Sequence, residues 1–194
     1  MRSICVFCGS SSGNDPAYRD LAALTGTEIA RRGLRLVYGG GRVGLMGAVA
    51  DAALAADGEV VGVIPAALVE REVEHTGLTQ LHVTATMHER KALMADLSDG
   101  FLALPGGYGT LDELCEILTW SQLGLHAKPA ALLGPGGFWA PLLAALDHAV
   151  ATGFLTPAHR ALLLDAEADP AFGPGPIEDL LNRMLAQRPA ATSK

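Results

Sequence analysis

Short apolar runs alternate with helix-patterned segments along the whole 194-residue chain, and this alternation restricts the fold more than any other feature. The runs are Ser3–Cys8, Leu34–Tyr38, Val60–Ile64, Leu81–Thr84, Gly100–Leu104, Ala130–Leu133 and Ala161–Leu164. Most are apolar at successive positions, so both faces of the strand need cover, as in a parallel sheet flanked by helices. The helical segments are Pro16–Arg32, Leu45–Ala56, Met87–Leu97, Leu111–Leu123, Trp139–Thr152 and Ile177–Gln187. In the first, Tyr18, Leu21, Ala22, Thr25 and Ile29 share one face, Asp15 is the N-cap and Pro16 the first helical residue. Strand then helix, repeated, predicts an α/β fold: a single doubly wound, Rossmann-like parallel sheet with helices on both faces. Residues 1–188 are expected to form one domain, Glu167–Pro176 a loop, and 189–194 a frayed tail.

Composition excludes several classes. At 49% apolar residues the chain is too hydrophobic to be mainly disordered. A net charge of −7 without a basic run argues against a nucleic-acid or anionic-membrane partner. The uncharged stretch Pro129–Leu146 is broken by Gly134-Pro135-Gly136-Gly137 and Pro141, so it is not a membrane span. The first apolar run is too short for a secretory leader. Cys5-x-x-Cys8 spells a redox or metal pair, but no second ligand pair stands at comparable spacing. Cys5 and Cys8 therefore read as core thiols, and the chain as a cytoplasmic protein.

The glycines gather in three clusters, each between a strand and a helix. They are Gly9-Ser10-Ser11-Ser12-Gly13, then Gly39-Gly40-Gly41-Arg42-Val43-Gly44-Leu45-Met46-Gly47, then Pro105-Gly106-Gly107-Tyr108-Gly109-Thr110. In a parallel sheet all three fall at the carboxyl ends of the strands, where open α/β sheets bind ligands. Glycine lets backbone N–H groups approach an anion, and a helix N-terminus favours negative charge. A small nucleotide or sugar phosphate is the expected ligand. Gly9, Ser10, Gly40 and Gly41 are candidate contacts. Gly39-x-Gly41-x-x-Gly44 spells a dinucleotide fingerprint, but the ribose-binding acid that should end the next strand is missing. Glu59 stands at that strand's start. Gly9-x-Ser11-x-Gly13 spells a nucleophile elbow, yet it follows the first strand, which suits a phosphate-binding loop better.

Two capping boxes carry charge toward that edge. Thr86-Met87-His88-Glu89 opens a helix that continues with Arg90 and Lys91, two cations set against the helix dipole. Arg90 falls beside the apolar face through Met87, Met94 and Leu97, so it needs a partner. Lys91 reads equally well as solvated. Thr110-Leu111-Asp112-Glu113 is the second box, with Thr110 as cap. Asp112, Glu113 and Glu116 are each candidates for a carboxylate facing the third loop. The six histidines show no ligand spacing, and neither metal nor cofactor is expected.

Pro105-Gly106-Gly107-Tyr108-Gly109-Thr110-Leu111-Asp112-Glu113 resembles the PGGxGTxxE motif of the LOG (Lonely Guy) family, some of whose members carry a lysine decarboxylase label. Val6-Phe7-Cys8-Gly9-Ser10-Ser11, Tyr38-Gly39-Gly40-Gly41 with Gly44-Leu45-Met46-Gly47, and Met87-His88-x-Arg90-Lys91 follow in family order over almost the whole chain. The resemblance implies hydrolysis of the N-glycosidic bond of a cytokinin riboside 5′-monophosphate, or of AMP, to free base and ribose 5-phosphate. It implies Arg90 and Glu113 as the catalytic pair. Substrate contacts would come from Glu72, Arg90, Lys91, the stretch Gly107, Tyr108, Gly109, Thr110, Leu111, Asp112 and Glu113, and Thr119. Asp112 stands where the family often has glutamate.

A carboxylate near C1′ would stabilise the positive charge developing on the ribose or activate water. Arg90 would hold the phosphate or orient that carboxylate. A PLP-dependent decarboxylase would need a Schiff-base lysine, and only Lys91 is placed to serve. A non-catalytic nucleotide-binding module would use the same loops without the Arg90/Glu113 pair. The resemblance also implies a homodimer, with the Met87–Leu97 helix and the helix after the third loop near the seam. In that second helix Leu114, Ile117, Leu118 and Leu125 are expected to face the sheet and Trp120 a different side.

Overall fold

The computed structural model of the protein describes residues 1–69 and 75–187. Seven strands, β1 (Ser3–Phe7), β2 (Arg35–Tyr38), β3 (Val60–Pro65), β4 (Gln80–Thr84), β5 (Phe101–Ala103), β6 (Ala130–Gly134) and β7 (Leu163–Glu167), form one sheet. The order is β4-β3-β2-β1-β5-β6-β7, and every pairing is parallel. The helices are α1 (Pro16–Arg31), α2 (Gly44–Ala55), α3 (Met87–Asp96), α4 (Tyr108–Gln122), α5 (Ala140–Ala151), α6 (Pro157–Arg160) and α7 (Gly175–Ala186). The chain winds outward from β1 to β4, then returns to lay β5 against the other side of β1. The loops after β1 and β5 therefore part company at one point of the edge, the switch point where such sheets open a crevice.

Strand alternation divides the core between two faces. Ile4, Leu36 and Leu102 pack beneath α1, α2 and α7, against Leu21, Ile29, Val49 and Leu180. Cys5, Val37, Phe101 and Leu132 face the other way, against Met94 of α3 and Leu114 and Ile117 of α4. Each large apolar side chain so buried stabilises the fold by about 1.5–3 kcal/mol. Asp15 caps α1, its carboxylate accepting from the Ala17 N–H at 2.9 Å. The three cysteines are free; Cys5 and Cys8 are buried and Cys115 is exposed.

The structure departs from the sequence reading in four places. Helix α4 begins at Tyr108, not Leu111, and its N-cap is Gly107, which has no side chain to offer. Thr110 therefore lies inside the first turn and does not cap it. β7 runs Leu163–Glu167 rather than Ala161–Leu164, because the short helix α6 takes up the preceding residues. As an edge strand it alternates, with Leu164 and Ala166 partly buried against one core face and Asp165 and Glu167 exposed on the other, so no doubly apolar run marks it. The expected loop Glu167–Pro176 loses Glu167 to β7 and Gly175 and Pro176 to α7, and holds a 3₁₀ turn at Pro170–Phe172. Leu125 lies beyond the end of α4 and is 69% exposed, whereas Trp120 packs against the same core face as Leu114 and Ile117. The expected tail 189–194 falls outside the described residues. No helix among the described residues is long and apolar enough to cross a membrane.

Candidate active site

The three glycine loops meet at Gly9, at the switch point. The Gly9 N–H donates to the Pro105 carbonyl of the third loop at 3.0 Å. The Gly9 carbonyl accepts from Leu45 N–H, where the second cluster enters α2, at 3.0 Å. Gly44 sits at φ +61, where a Cβ would lie 2.4 Å from the Ser10 carbonyl group, so only glycine lets these loops close together. Between them opens a cleft of about 180 Å³. Gly9, Ser10, Gly107, Tyr108, Gly109 and Thr110 form its rim, and Arg90 and Glu113 stand on its wall. Val6, Cys8, Gly39 and Met46 complete the lining.

One end of the cleft is the N-terminus of α4. The first-turn N–H groups there have no intrahelical acceptor, and the helix dipole favours an anion. Thr110 is 2% exposed, and its Oγ1 has no hydrogen-bond partner among the described residues. A buried hydroxyl without a partner costs about 1–3 kcal/mol unless a ligand satisfies it. Dipole, free N–H groups and orphaned hydroxyl thus converge on one anion position. Tyr108, 93% exposed, contributes to the rim from the outside.

The cation and the carboxylate stand against each other. Thr86 caps α3, with its Oγ1 accepting from Glu89 N–H at 3.1 Å and Glu89 accepting from Ala85 N–H at 2.9 Å. Arg90, one turn in, is 6% exposed. Its Nε donates to the Val63 carbonyl at 3.0 Å and its Nη2 to the Gly39 carbonyl at 3.2 Å. Nη1 faces Glu113 Oε1 at 3.6 Å, an ion pair rather than a hydrogen bond. The guanidinium is thus fixed by two strand-end carbonyls and presents its remaining edge to the carboxylate. Of the two roles the sequence left open, the geometry suits orienting Glu113. Cys8 is pushed up far above the usual thiol range by burial and then by the Glu113 charge, so it stays a neutral thiol. Cys5, behind it, is raised for the same reasons.

Lys91 turns away from the cleft. Its Nζ lies 3.0 Å from Asp112 Oδ2 and 3.2 Å from Glu116 Oε2, so it straps α3 to α4. Burial works against its charge, but the hydrogen bonds to these two carboxylates outweigh that and raise its pKa. Of the three candidate carboxylates, then, Glu113 lines the cleft and Asp112 and Glu116 hold the lysine. Leu111 is half-buried outside the lining. Thr119 is exposed about 9 Å further along α4, its Oγ1 donating to Cys115 O at 2.7 Å. Gly40 and Gly41 are buried behind the cleft, and the Gly40 carbonyl accepts from His75 N–H at 3.1 Å. Glu72 lies outside the described residues.

Sequence reasoning missed the carbonyls of Val63 and Gly39, because a backbone acceptor leaves no mark in residue types. It also offered no partner for His75. His75 is buried, its Nε2 2.9 Å from Asp51 Oδ1, and its Nδ1 accepts from Gly77 N–H at 3.1 Å. The pattern i, i+24 carries no local signal. Among the described residues no cluster of three or more His, Cys, Asp or Glu is arranged to hold a metal.

The family described as "Possible lysine decarboxylase" matches residues 46–171. A protein of Rhodococcoides fascians named cytokinin riboside 5′-monophosphate phosphoribohydrolase is 54% identical over 164 residues, 84% of this chain and 83% of that one. One of Oryza sativa subsp. japonica, named "Probable cytokinin riboside 5′-monophosphate phosphoribohydrolase", is 51% identical over 171 residues, 88% of this chain and 75% of the other. Among solved structures, the molybdenum cofactor carrier protein of Chlamydomonas reinhardtii superposes with a TM-score of 0.71 at 23% identity. That match spans 97% of this chain and 99% of the carrier, and it speaks for the fold alone.

Proposed function

The chain belongs to the LOG family, whose matching model carries the description "Possible lysine decarboxylase", and we propose that it hydrolyses the N-glycosidic bond of an adenosine 5′-monophosphate, N6-substituted or plain, to free base and ribose 5-phosphate. The observation that carries this reading is the juxtaposition of a phosphate-ready helix terminus with Glu113, held by an immobilised arginine. The 5′-phosphate sits at the N-terminus of α4 on the N–H groups of Gly107, Tyr108, Gly109 and Thr110, with Thr110 Oγ1 and Ser10 at its flank. The ribose then points along the cleft toward Glu113. As the bond at C1′ lengthens, positive charge spreads over the ring, and the Glu113 carboxylate stabilises it or takes a proton from the attacking water. Arg90 keeps the carboxylate aimed. Phosphate binding, remote from the reacting bond, is used to position that bond.

Lys91 speaks against the decarboxylase reading. Schiff-base formation needs a neutral amine, and the two carboxylates on Lys91 favour the ammonium. A nucleotide-binding module without catalysis remains the second reading, favoured by the loops themselves; it leaves the Glu113–Arg90 pair without a purpose. Residues 1–188 act as one catalytic domain, a reading supported by a single sheet that takes in all seven strands. Two chains pair through the outer faces of α3, α4 and α5. Met87, Leu123 and Leu125 are exposed there, and α5, although mostly apolar, has no buried residue of its own. In that dimer the exposed Thr119 would serve a site shared between chains. The protein works in the cytoplasm, consistent with its free thiols.

The deciding experiment incubates the protein with AMP, with an N6-isopentenyl AMP and with adenosine, and follows free base by chromatography. Base and ribose 5-phosphate should appear in equal amounts from the nucleotides, with a far lower kcat/KM for adenosine. Tight nucleotide binding with no base released would leave the binding-module reading.

A further inference from the structure

A second cleft, of about 290 Å³, opens on the far side of the same glycine rim. It shares Gly9, Ser10 and Gly107 with the catalytic cleft, so one wall of backbone separates the two. Its other surfaces are Tyr18, Leu45, Pro105 and Phe138, with Ser11 and Ser12 at the margin. None of its lining residues is charged. Tyr18 and Phe138 meet edge to face, centroids 5.7 Å apart at 73°, and Phe138 is itself braced edge to face on Trp139 at 4.8 Å. Gly13, also in the lining, packs closely on the Tyr18 ring: a Cβ there would lie 2.6 Å from Tyr18 Cδ2. Both rings are half-buried and held, so little freedom is lost when a ligand stacks on them.

We propose that this cleft is a second compartment of the active site, taking an uncharged aromatic or heteroaromatic group esterified to the substrate's 5′-phosphate. The inference rests on the phosphate placement given above. With the ribose directed toward Glu113 and the phosphate at the rim of Gly107 and Ser10, an ester oxygen on the phosphate emerges on the Tyr18/Phe138 side. The chemistry of the lining decides the class of ligand. An additional phosphate would find no cation there, whereas a planar ring finds two aromatic side chains, a proline and a leucine, with serine hydroxyls for its polar edge. The ligands that fit are nucleoside 5′-phosphodiesters, including the 5′-linked unit of a dinucleotide.

The test compares three nucleotides on the whole protein: AMP, adenosine 5′-(methyl phosphate) and adenosine 5′-(phenyl phosphate). The two esters carry the same charge and differ only in the ring. Calorimetry should show the phenyl ester binding at least tenfold more tightly than the methyl ester, and competing with AMP. Phe138→Ala and Tyr18→Ala should each reduce that ratio toward one while leaving AMP turnover unchanged. If either variant fails to fold, intermolecular NOEs between the phenyl protons and the Tyr18 ring in the wild-type protein decide the same point. Equal affinities for the two esters, or an unchanged ratio in folded variants, would overturn the compartment. Failure to hydrolyse AMP would instead count against the proposed reaction, and the ester binding ratio would still judge the cleft.

Discussion

A single methyl group at Gly39 should disable the site by displacing Arg90, with both residues of the catalytic pair left unchanged in the sequence. A Cβ at Gly39 would lie 2.2 Å from Arg90 Nη2 and 3.1 Å from Met46 Sδ. The backbone of Gly39 is not left-handed, so alanine is conformationally acceptable there and the effect is one of contact alone. To move from 2.2 Å to the 3.4 Å where ordinary contact begins, the guanidinium must retreat by about 1.2 Å. Its bond to the Gly39 carbonyl, already 3.2 Å, is the first to fail, and the 3.6 Å approach to Glu113 is displaced with it. A hydrogen bond from a charged donor contributes about 1.5–3 kcal/mol, and misplacing a catalytic group by 1 Å costs about a hundredfold in rate. Gly39→Ala should therefore lower kcat for base release roughly a hundredfold while the protein remains folded. If the loss passes through Arg90, the same change in an Arg90→Ala background should cost nothing further. Wild-type kcat in Gly39→Ala, or full additivity of the two losses, would refute the reasoning.

Thr110→Val should lower kcat/KM for AMP by about 10–100-fold, since one hydrogen bond to a charged phosphate is lost. It should not lower Tm, because the Thr110 hydroxyl has no partner to lose. Arg90→Lys should recover little activity, as an ammonium cannot reach two strand-end carbonyls and Glu113 from one planar fork. Asp99→Asn should destabilise the protein in a pH-dependent way. Burial disfavours the Asp99 charge, but the N–H groups of Arg2 and Ser3 more than offset this and hold its pKa below the usual value. The stability it adds is therefore present above the unfolded-state value, about 3.9, and lost as pH falls through the lower folded value. Urea titrations should show wild type and variant differing near pH 7 and converging in acid; a constant gap would contradict this.

Where both faces of a strand are buried, as in β1, β2 and β3, residue types alone mark the element, because beyond the first residues Ser3 and Arg35 its positions are apolar or glycine. β7 escaped because an edge strand with one covered face shares its alternation with many loops. The start of α4 escaped for a different reason. Its first residues are Tyr108 and Gly109, and helix propensity there is overridden by the packing of the third loop against Gly9. That shift matters for the site, since it turns Thr110 from a cap into an unsatisfied hydroxyl facing the cleft. Arg90 was legible as an arginine beside the apolar face of its helix that needs a partner, and it is buried on the carbonyls of Val63 and Gly39. Lys91 was not, because its two partners lie 21 and 25 residues away on α4, a spacing no periodicity announces.

The most direct test of the account is Glu113→Gln, which keeps the side-chain shape and removes only the charge. Glu113 stands in the second turn of α4 and glutamine keeps its shape, so the variant should remain folded, which circular dichroism checks. It should still bind AMP, with the phosphate held by the N-terminus of α4, and base release should fall to near background. A Glu113→Gln protein that binds AMP and releases base at close to the wild-type rate would contradict the central claim that this carboxylate carries the cleavage.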